Sequence, residues 1–184
     1  MSYRLSKIYT RKGDDGNTTL RDQRMPKNHP LVETLGAIDE LNCALGLTLS
    51  FGVADKKMQE QLTQIQNDLF DLGGELAEPK FHAISEDKIT WLEKTLDEWN
   101  SQLPPLKEFI LPQGTPTTVA CHLARTICRR AERNLVELHQ GEPLQNPQLL
   151  RYLNRLSDFL FVAARSLARQ EHCEEKLWDH KREE

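Results

Sequence analysis

The chain has 184 residues, 38% of them hydrophobic and 28% charged, with a net charge of −4 at neutral pH. That length predicts a single domain, 1–184, able to bury a core, and the charge argues against a general nucleic-acid binder, which carries a strong positive excess. A mean hydropathy of −0.61, no run of ~18 apolar residues and no apolar h-region in the opening MSYRLSKIYTRKGDDG lead to the expectation of a cytoplasmic protein with neither membrane span nor signal peptide.

Residues 7–20, KIYTRKGDDGNTTL, read as a polar loop in which Gly13 and Gly16 stand three apart. Glycines permit positive φ, so successive amides can turn inward as an anion-binding nest. Thr10, Arg11, Lys12, Thr18 and Thr19 would add hydroxyls and cations, with Asp14 in the turn itself. Gly-Asp-Asp-Gly is equally a plain turn, and no Gly-Lys-Ser/Thr ends the loop as a Walker A motif requires. Residues 21–30 continue as a polar linker with Pro26, Lys27 and Pro30. The division is an N-terminal arm (1–28), a helical body (29–169) and a charged tail (170–184).

From 29 to about 51, Leu31, Leu35, Ile38, Leu41, Leu45 and Leu49 recur at helical spacing. Asp39 falls between two core positions; a buried carboxylate there needs a cationic partner, while an ordinary exposed acid fits as well. A second helix, 55 to about 76, carries Met58, Leu62, Ile65, Leu69 and Leu72, and Gly73-Gly74 is expected to fray or end it. Ser85 suits the N-cap of a third, with Glu86 and Asp87 in the first turn, where acids complement the dipole. Ile89, Leu92, Leu96 and Trp99 form its core face, and Pro104-Pro105 stop it. The connector 106–115, LKEFILPQGT, holds Phe109 and Ile110, which read either as core plugs or as walls of a pocket.

Thr115-Pro116 gives a fourth helix its N-cap and first-turn proline. Along it Ala120, Ala124, Ile127, Ala131, Leu135 and Leu138 make one apolar stripe. Arg125, Arg129 and Arg133 repeat every four residues and so stack along one face, with Glu132 three residues from Arg129. Two readings stay open: a solvated basic face with local ion pairs, or a polyphosphate clamp, because guanidinium forks match phosphate oxygens. Asn146-Pro147 starts a fifth helix, to about 169, with Leu149, Leu153, Leu156, Leu160, Val162 and Ala163 apolar and Asn154, Arg155 and Asp158 interrupting. Trp178 could pin the tail to the body or to a neighbouring subunit. Five amphipathic helices and no convincing strand predict an all-α, ferritin-like up-down five-helix bundle.

Cys43, Cys121, Cys128 and Cys173 lack C-x-x-C spacing, so reduced thiols are expected. Cys121 and Cys128 stand ~10 Å apart along the helix axis, too far for Zn–S bonds of ~2.3 Å; they read as small buried or interface side chains. No Glu-x-x-His pair offers a di-iron site, and no nucleophile elbow appears.

Five segments in order, IYTRKGDDGNTTL, GAIDELN, EFILPQGT, CHLARTICRRAER and YLNRLSDFLF, resemble the motif set of the PduO-type ATP:cob(I)alamin adenosyltransferases over nearly the whole chain, from about 7 to about 169. The resemblance implies a homotrimer with ATP bound between subunits. By that likeness residues 10–19 wrap the nucleotide with Lys27 nearby, and Arg129 and Arg133 hold the triphosphate, with Arg130 and Glu132 of the same motif also in the ATP-binding set. Asn154 contacts the nucleotide, Asp39 and Arg125 bridge two subunits at the site, and Phe109 forms an apolar wall under the corrin. The implied reaction is displacement at C5′ of ATP by Co(I), with Mg²⁺ on the phosphates, a reductase supplying Co(I) and a B12-dependent enzyme receiving the product. Gln113 stands where many relatives have a second glycine, and Lys12 where threonine is common. The alternatives are an ATP-binding sensory or regulatory bundle without transferase activity, and a purely structural trimeric bundle.

Overall fold

The computed structural model describes residues 9–78 and 80–180. Lys7 at the start of the predicted loop, the rest of the first eight residues and the last four of the tail lie outside them. The elements are β1 (Asn17–Leu20), β2 (Gln23–Pro26), α1 (Pro30–Ser50), α2 (Lys56–Ala77), α3 (Glu86–Asn100), α4 (Pro116–Gly141) and α5 (Gln148–Gln170).

The helices begin where side chains can take up free amides. His29 Nδ1 accepts from Leu31 N–H at 3.2 Å ahead of α1. Asp55 Oδ1 accepts from Lys57 N–H at 2.8 Å ahead of α2, and Thr115 Oγ1 from Thr118 N–H at 3.2 Å ahead of α4. Asn146 Oδ1 accepts from Gln148 N–H at 3.0 Å at the start of α5. Such caps are each worth about 1 kcal/mol. Ser85 precedes α3 but makes no side-chain cap bond; Glu86 and Asp87 in the first turn remain to favour that end.

α4 is the central helix, packed on α1 and on α5; α1 also meets α2, and α5 meets α3. The whole predicted stripe of α4, from Ala120 to Leu138, is buried, as are the apolar positions predicted for α5. Each fully buried leucine contributes about 1.5–3 kcal/mol, so Leu135→Ala would cost about 2–5 kcal/mol. Two buried acids tie the layers together. Asp68 of α2 accepts from Tyr152 Oη at 3.0 Å and from Lys88 Nζ at 2.5 Å. Burial opposes the charge of Glu75, but bonds from Ala83 N–H, Asn146, Ile84 N–H and His82 outweigh it and hold its carboxyl below the usual range.

Two expectations are corrected, and the open choice at Asp39 is decided for the exposed acid. β1 and β2 pair antiparallel, with Asn17 opposite Pro26 and Leu20 opposite Gln23, where the sequence suggested no strand and a linker. Gly73-Gly74 does not end α2, which runs on to Ala77; Leu72 and Leu76 are buried on either side of the pair, and a Cβ on Gly74 would stand 3.2 Å from the Phe81 ring.

Candidate functional site

Burial of the α4 stripe against α1 and α5 sets the phase of its polar face. Arg125 is half-buried, and its Nε is buried with no hydrogen-bond partner among the described residues. Burial, then the neighbouring Arg129, draw its pKa down, against a smaller opposing effect of Cys121; a guanidinium stays charged regardless. Arg129 and Arg133 are exposed. Among the described residues none of these three arginines forms an ion pair, whereas Arg130, one position on, pairs with Glu40 of α1. Glu132 accepts from Asn154 Nδ2 at 2.8 Å instead of pairing along the row. The local ion pairs of the bland reading are therefore missing from the row itself.

Arg129 lies on the wall of two cavities. The first, about 370 Å³, is lined mostly by polar residues, Arg133, Glu132, Glu137, Gln140 and Asn154, with Val136 among them. The second, about 560 Å³, sets Arg125, Arg129 and Arg165 against an apolar side that includes Leu96, Leu106, Phe161 and Val162. Arg125, Arg129 and Arg133, whose guanidinium donors are unspent among the described residues, suit a polyanion; the apolar side suits a large, flat hydrophobic surface. Cys121 and Cys128 play no part: their thiols donate to the Leu160 and Leu153 carbonyls, and burial pushes Cys121 up to about 12. His122 is buried too, which with nearby Arg125 draws it down to about 4, so it is neutral at pH 7.

The N-terminal arm turns tightly ahead of β1. Gly16 sits at φ 81° and donates its N–H to the Gly13 carbonyl at 3.2 Å. Lys27 N–H returns to the Gly16 carbonyl at 2.9 Å, and the Lys27 side chain crosses Gly13 so closely that a Cβ there would lie 3.2 Å from Nζ. Arg24 donates to the Lys12 carbonyl and to Asp15. Gly13, Gly16 and Lys27 are thus brought together; Thr10, Arg11, Lys12, Asp14 and Thr19 are exposed, and Thr18 is half-buried. Arg21 anchors the hairpin, donating from Nε to the Leu76 carbonyl at 2.9 Å and from Nη1 to Glu142 at 2.5 Å. No described residue of the arm lines either arginine cavity of its own chain. Asp39 faces a third cavity, about 940 Å³, with Phe70, Phe81 and Gly74 and without Arg125.

Phe109 is 75% exposed. The core-plug reading is excluded, and the ring stands in solvent from the connector between α3 and α4. Gly114 beyond it has φ 141°, a conformation that favours glycine, whereas Gln113 is accommodated with its N–H on the Leu111 carbonyl at 2.8 Å.

A family model described as cobalamin adenosyltransferase matches residues 8–167. The chain belongs to the cobalamin adenosyltransferase family. It is 46% identical over 184 residues, the full length of both chains, to a cobalamin adenosyltransferase of Cupriavidus metallidurans. It is 44% identical over 165 residues, 86% of this chain and 85% of the relative, to a corrinoid adenosyltransferase of Bacillus subtilis. A variant PduO-type ATP:corrinoid adenosyltransferase from Lactobacillus reuteri, complexed with cobalamin and ATP, superposes with a TM-score of 0.89 at 38% identity, covering 95% of this chain and all of that one.

Within this adenosyltransferase frame the sequence reading missed the apolar cavity. Leu96 and Val162 are core positions as their spacing predicts and also border the cavity, while no periodicity singles out Leu106, Phe161 or Arg165, which line it with them. The available signal was Phe161, an aromatic two positions from the buried Phe159 on α5, which cannot share its face.

Proposed function

We propose that this adenosyltransferase moves the 5′-deoxyadenosyl group of ATP onto cob(I)alamin, yielding adenosylcobalamin and triphosphate, at sites shared between subunits of a homotrimer. The observation that carries the proposal is Arg129 on the wall common to two cavities, a polar one bearing Arg133 and Asn154 and one with an apolar side bearing Leu96, Leu106 and Phe161. ATP occupies the polar one, with Arg129 and Arg133 on the phosphates and Asn154 on the nucleotide. The corrin lies against the apolar one and Phe109. The bond broken, C5′–O of ATP, then falls near Arg129.

Co(I) supplies the electron pair that forms the Co–C bond, and the pair of the broken C–O bond departs on triphosphate. The nucleophile belongs to the substrate, so the protein needs no catalytic base. Its residues align the reactants and stabilise the leaving charge. The ring of Phe109, held out in water, covers the lower face of the corrin, excludes an axial ligand and so eases reduction of Co(II). ATP would bring any Mg²⁺ on its own phosphate oxygens, where the ion would offset their charge; among the described residues no three His, Cys, Asp or Glu side chains cluster to hold an ion themselves.

Two features support a shared site. The arm, with Thr10, Arg11, Lys12, Gly13, Asp14, Gly16, Thr18, Thr19 and Lys27, lines neither arginine cavity of its own chain; held by Arg21, it presents these residues to the nucleotide of a neighbour. Asp39 and Arg125 face different cavities of one chain, so each can complete the other's charge across a subunit seam. Residues 1–28 serve as nucleotide arm and 29–169 as bundle of one domain. Arg130, tied to Glu40, supports α4 against α1 and leaves the clamp to its neighbours. No described helix is long and apolar enough to cross a membrane; we assign the work to the cytoplasm, between a reductase supplying Co(I) and a B12-dependent enzyme taking the product. Incubation with ATP, reductant and cobalamin, followed by absorbance, tests the reading. A light-sensitive alkylcobalt spectrum is expected; its absence with ATP still bound would favour the sensory alternative.

A further inference from the structure

The motif set ends near Arg169, and the segment that follows it, which carries Trp178, has no part in the nucleotide site proposed for the bundle. Residues 171–180 run antiparallel along residues 108–115, the connector that carries Phe109. Glu171 bonds Thr115, the cap of α4. Cys173 Sγ abuts Gly114, 3.3 Å from where a Cβ would be. Leu111 N–H donates to the Lys176 carbonyl at 2.8 Å, Leu177 bridges Ile110, and Trp178 N–H donates to the Phe109 carbonyl at 2.6 Å. His180 ends the strap, 3.7 Å from Glu108. The Trp178 ring packs on that of Phe109, centroids 6.3 Å apart.

These contacts are mostly at the surface. The buried one is Arg165 of α5, whose side chain is 3% exposed. Its Nε donates to Glu175 Oε1 at 2.6 Å and its Nη2 to Oε2 at 3.1 Å, a two-pronged pairing, and Nη2 also donates to the Pro104 carbonyl at 2.8 Å. One guanidinium thus joins α5, the start of the connector and the strap. Arg165, Pro104 and Leu106 all line the apolar cavity. A charge so buried holds its place only with its partner present, so the strap's seat depends on Glu175.

We infer that Arg165 and Glu175 are a positioning pair for adenosyl transfer: by seating the C-terminal strap they fix the Phe109 connector and hold Trp178 behind the Phe109 ring where it meets the corrin. The inference rests on the reading that Phe109 covers the corrin. Neither residue touches a reactant; both act through the connector. Phe109, exposed on a connector with little backing of its own, would otherwise move with the loop, and an axial ligand could return to cobalt.

The test compares wild type with Glu175→Ala and Trp178→Ala. Hydrogen exchange reads the Leu111 and Trp178 amides, electron paramagnetic resonance of cob(II)alamin with ATP reads the axial ligand, and steady-state kinetics separate KM for ATP from kcat. Glu175→Ala is expected to speed exchange at both amides at least tenfold, restore the axially ligated Co(II) signal and lower kcat at least tenfold, with KM for ATP within twofold of wild type. If Glu175→Ala does not fold, Trp178→Ala, which alters the strap's far end outside the buried pair, must give the same split between kcat and KM. Wild-type Co(II) signal and kcat in the folded variants would overturn the role of the pair. Axially ligated Co(II) in the wild type itself would overturn the Phe109 reading, and the pair's role with it.

Discussion

Replacing Arg129 separates function from folding more cleanly than any other change on α4. Its side chain is exposed and makes no ion pair among the described residues, so Arg129→Ala should alter stability by no more than about 0.5 kcal/mol, which for a domain this size is about 1–2 °C in Tm. In the proposed complex the same guanidinium makes one or two charge-assisted bonds to phosphate, worth about 1.5–3 kcal/mol each, and both strengthen as charge builds on the leaving triphosphate. A loss of about 3–5 kcal/mol is a fall in kcat/KM of roughly 10²–10³·⁵, at about 1.4 kcal/mol per tenfold. Arg130→Ala is the control one residue away. It gives up an exposed pair with Glu40, worth about 0–1 kcal/mol, and should change KM for ATP far less. The assay is the rate of alkylcobalt formation over a range of ATP concentrations, beside a thermal melt of each variant. Equal losses from the two variants, or an Arg129→Ala deficit explained by its melt, would refute the assignment of the clamp to the 125–129–133 row.

Further tests follow from individual residues. Asp39→Asn should weaken both trimer assembly and turnover, read by sedimentation and rate, because Arg125 would lose its countercharge; a stable, fully active trimer would dismiss the bridge. Phe109→Ala should leave ATP affinity unchanged while impairing Co(II) reduction, seen by titrating each substrate. His122 is neutral when folded, its pKa drawn to about 4 from 6.5. The unfolded chain therefore binds the extra proton first, and stability should fall as pH drops from 6.5 towards 4 by up to about 3 kcal/mol. His122→Leu should flatten that slope in denaturant titrations. Thiol labelling of the native protein should reach Cys43 before Cys121 or Cys128, both fully buried, with all four reacting on unfolding.

The sequence made the helices legible because each carries its own local signals: Asp55, Thr115-Pro116 and Asn146 at the starts, apolar stripes along the faces. The hairpin was hidden for a physical reason. Its two-residue turn, Arg21-Asp22, has φ of 52° and 57°, a conformation usually marked by Asn-Gly; here the Arg21 side chain, bonded to Leu76 and Glu142, supplies the compensation that glycine would have made unnecessary. Gly73-Gly74 misled because propensity is local, whereas the burial of Leu72 and Leu76 that sustains α2 is tertiary. The arginine row was visible by spacing, but its lack of ion pairs, and the apolar cavity beside Arg129, arise from α3, the connector and α5 meeting, which no periodicity records. Of the strap only its anchor was legible: Trp178 does pin the tail to the body, on Phe109, but antiparallel pairing between 171–180 and 108–115 leaves no signal in either stretch alone.

A crystal structure with Mg-ATP bound tests the central claim most directly. The account expects each triphosphate to touch Arg129 and Arg133 of one subunit and the glycine-bearing arm, residues 10–19, of its neighbour. Nucleotide lodged away from the arginine row, or held by arm and row of the same chain, would contradict it.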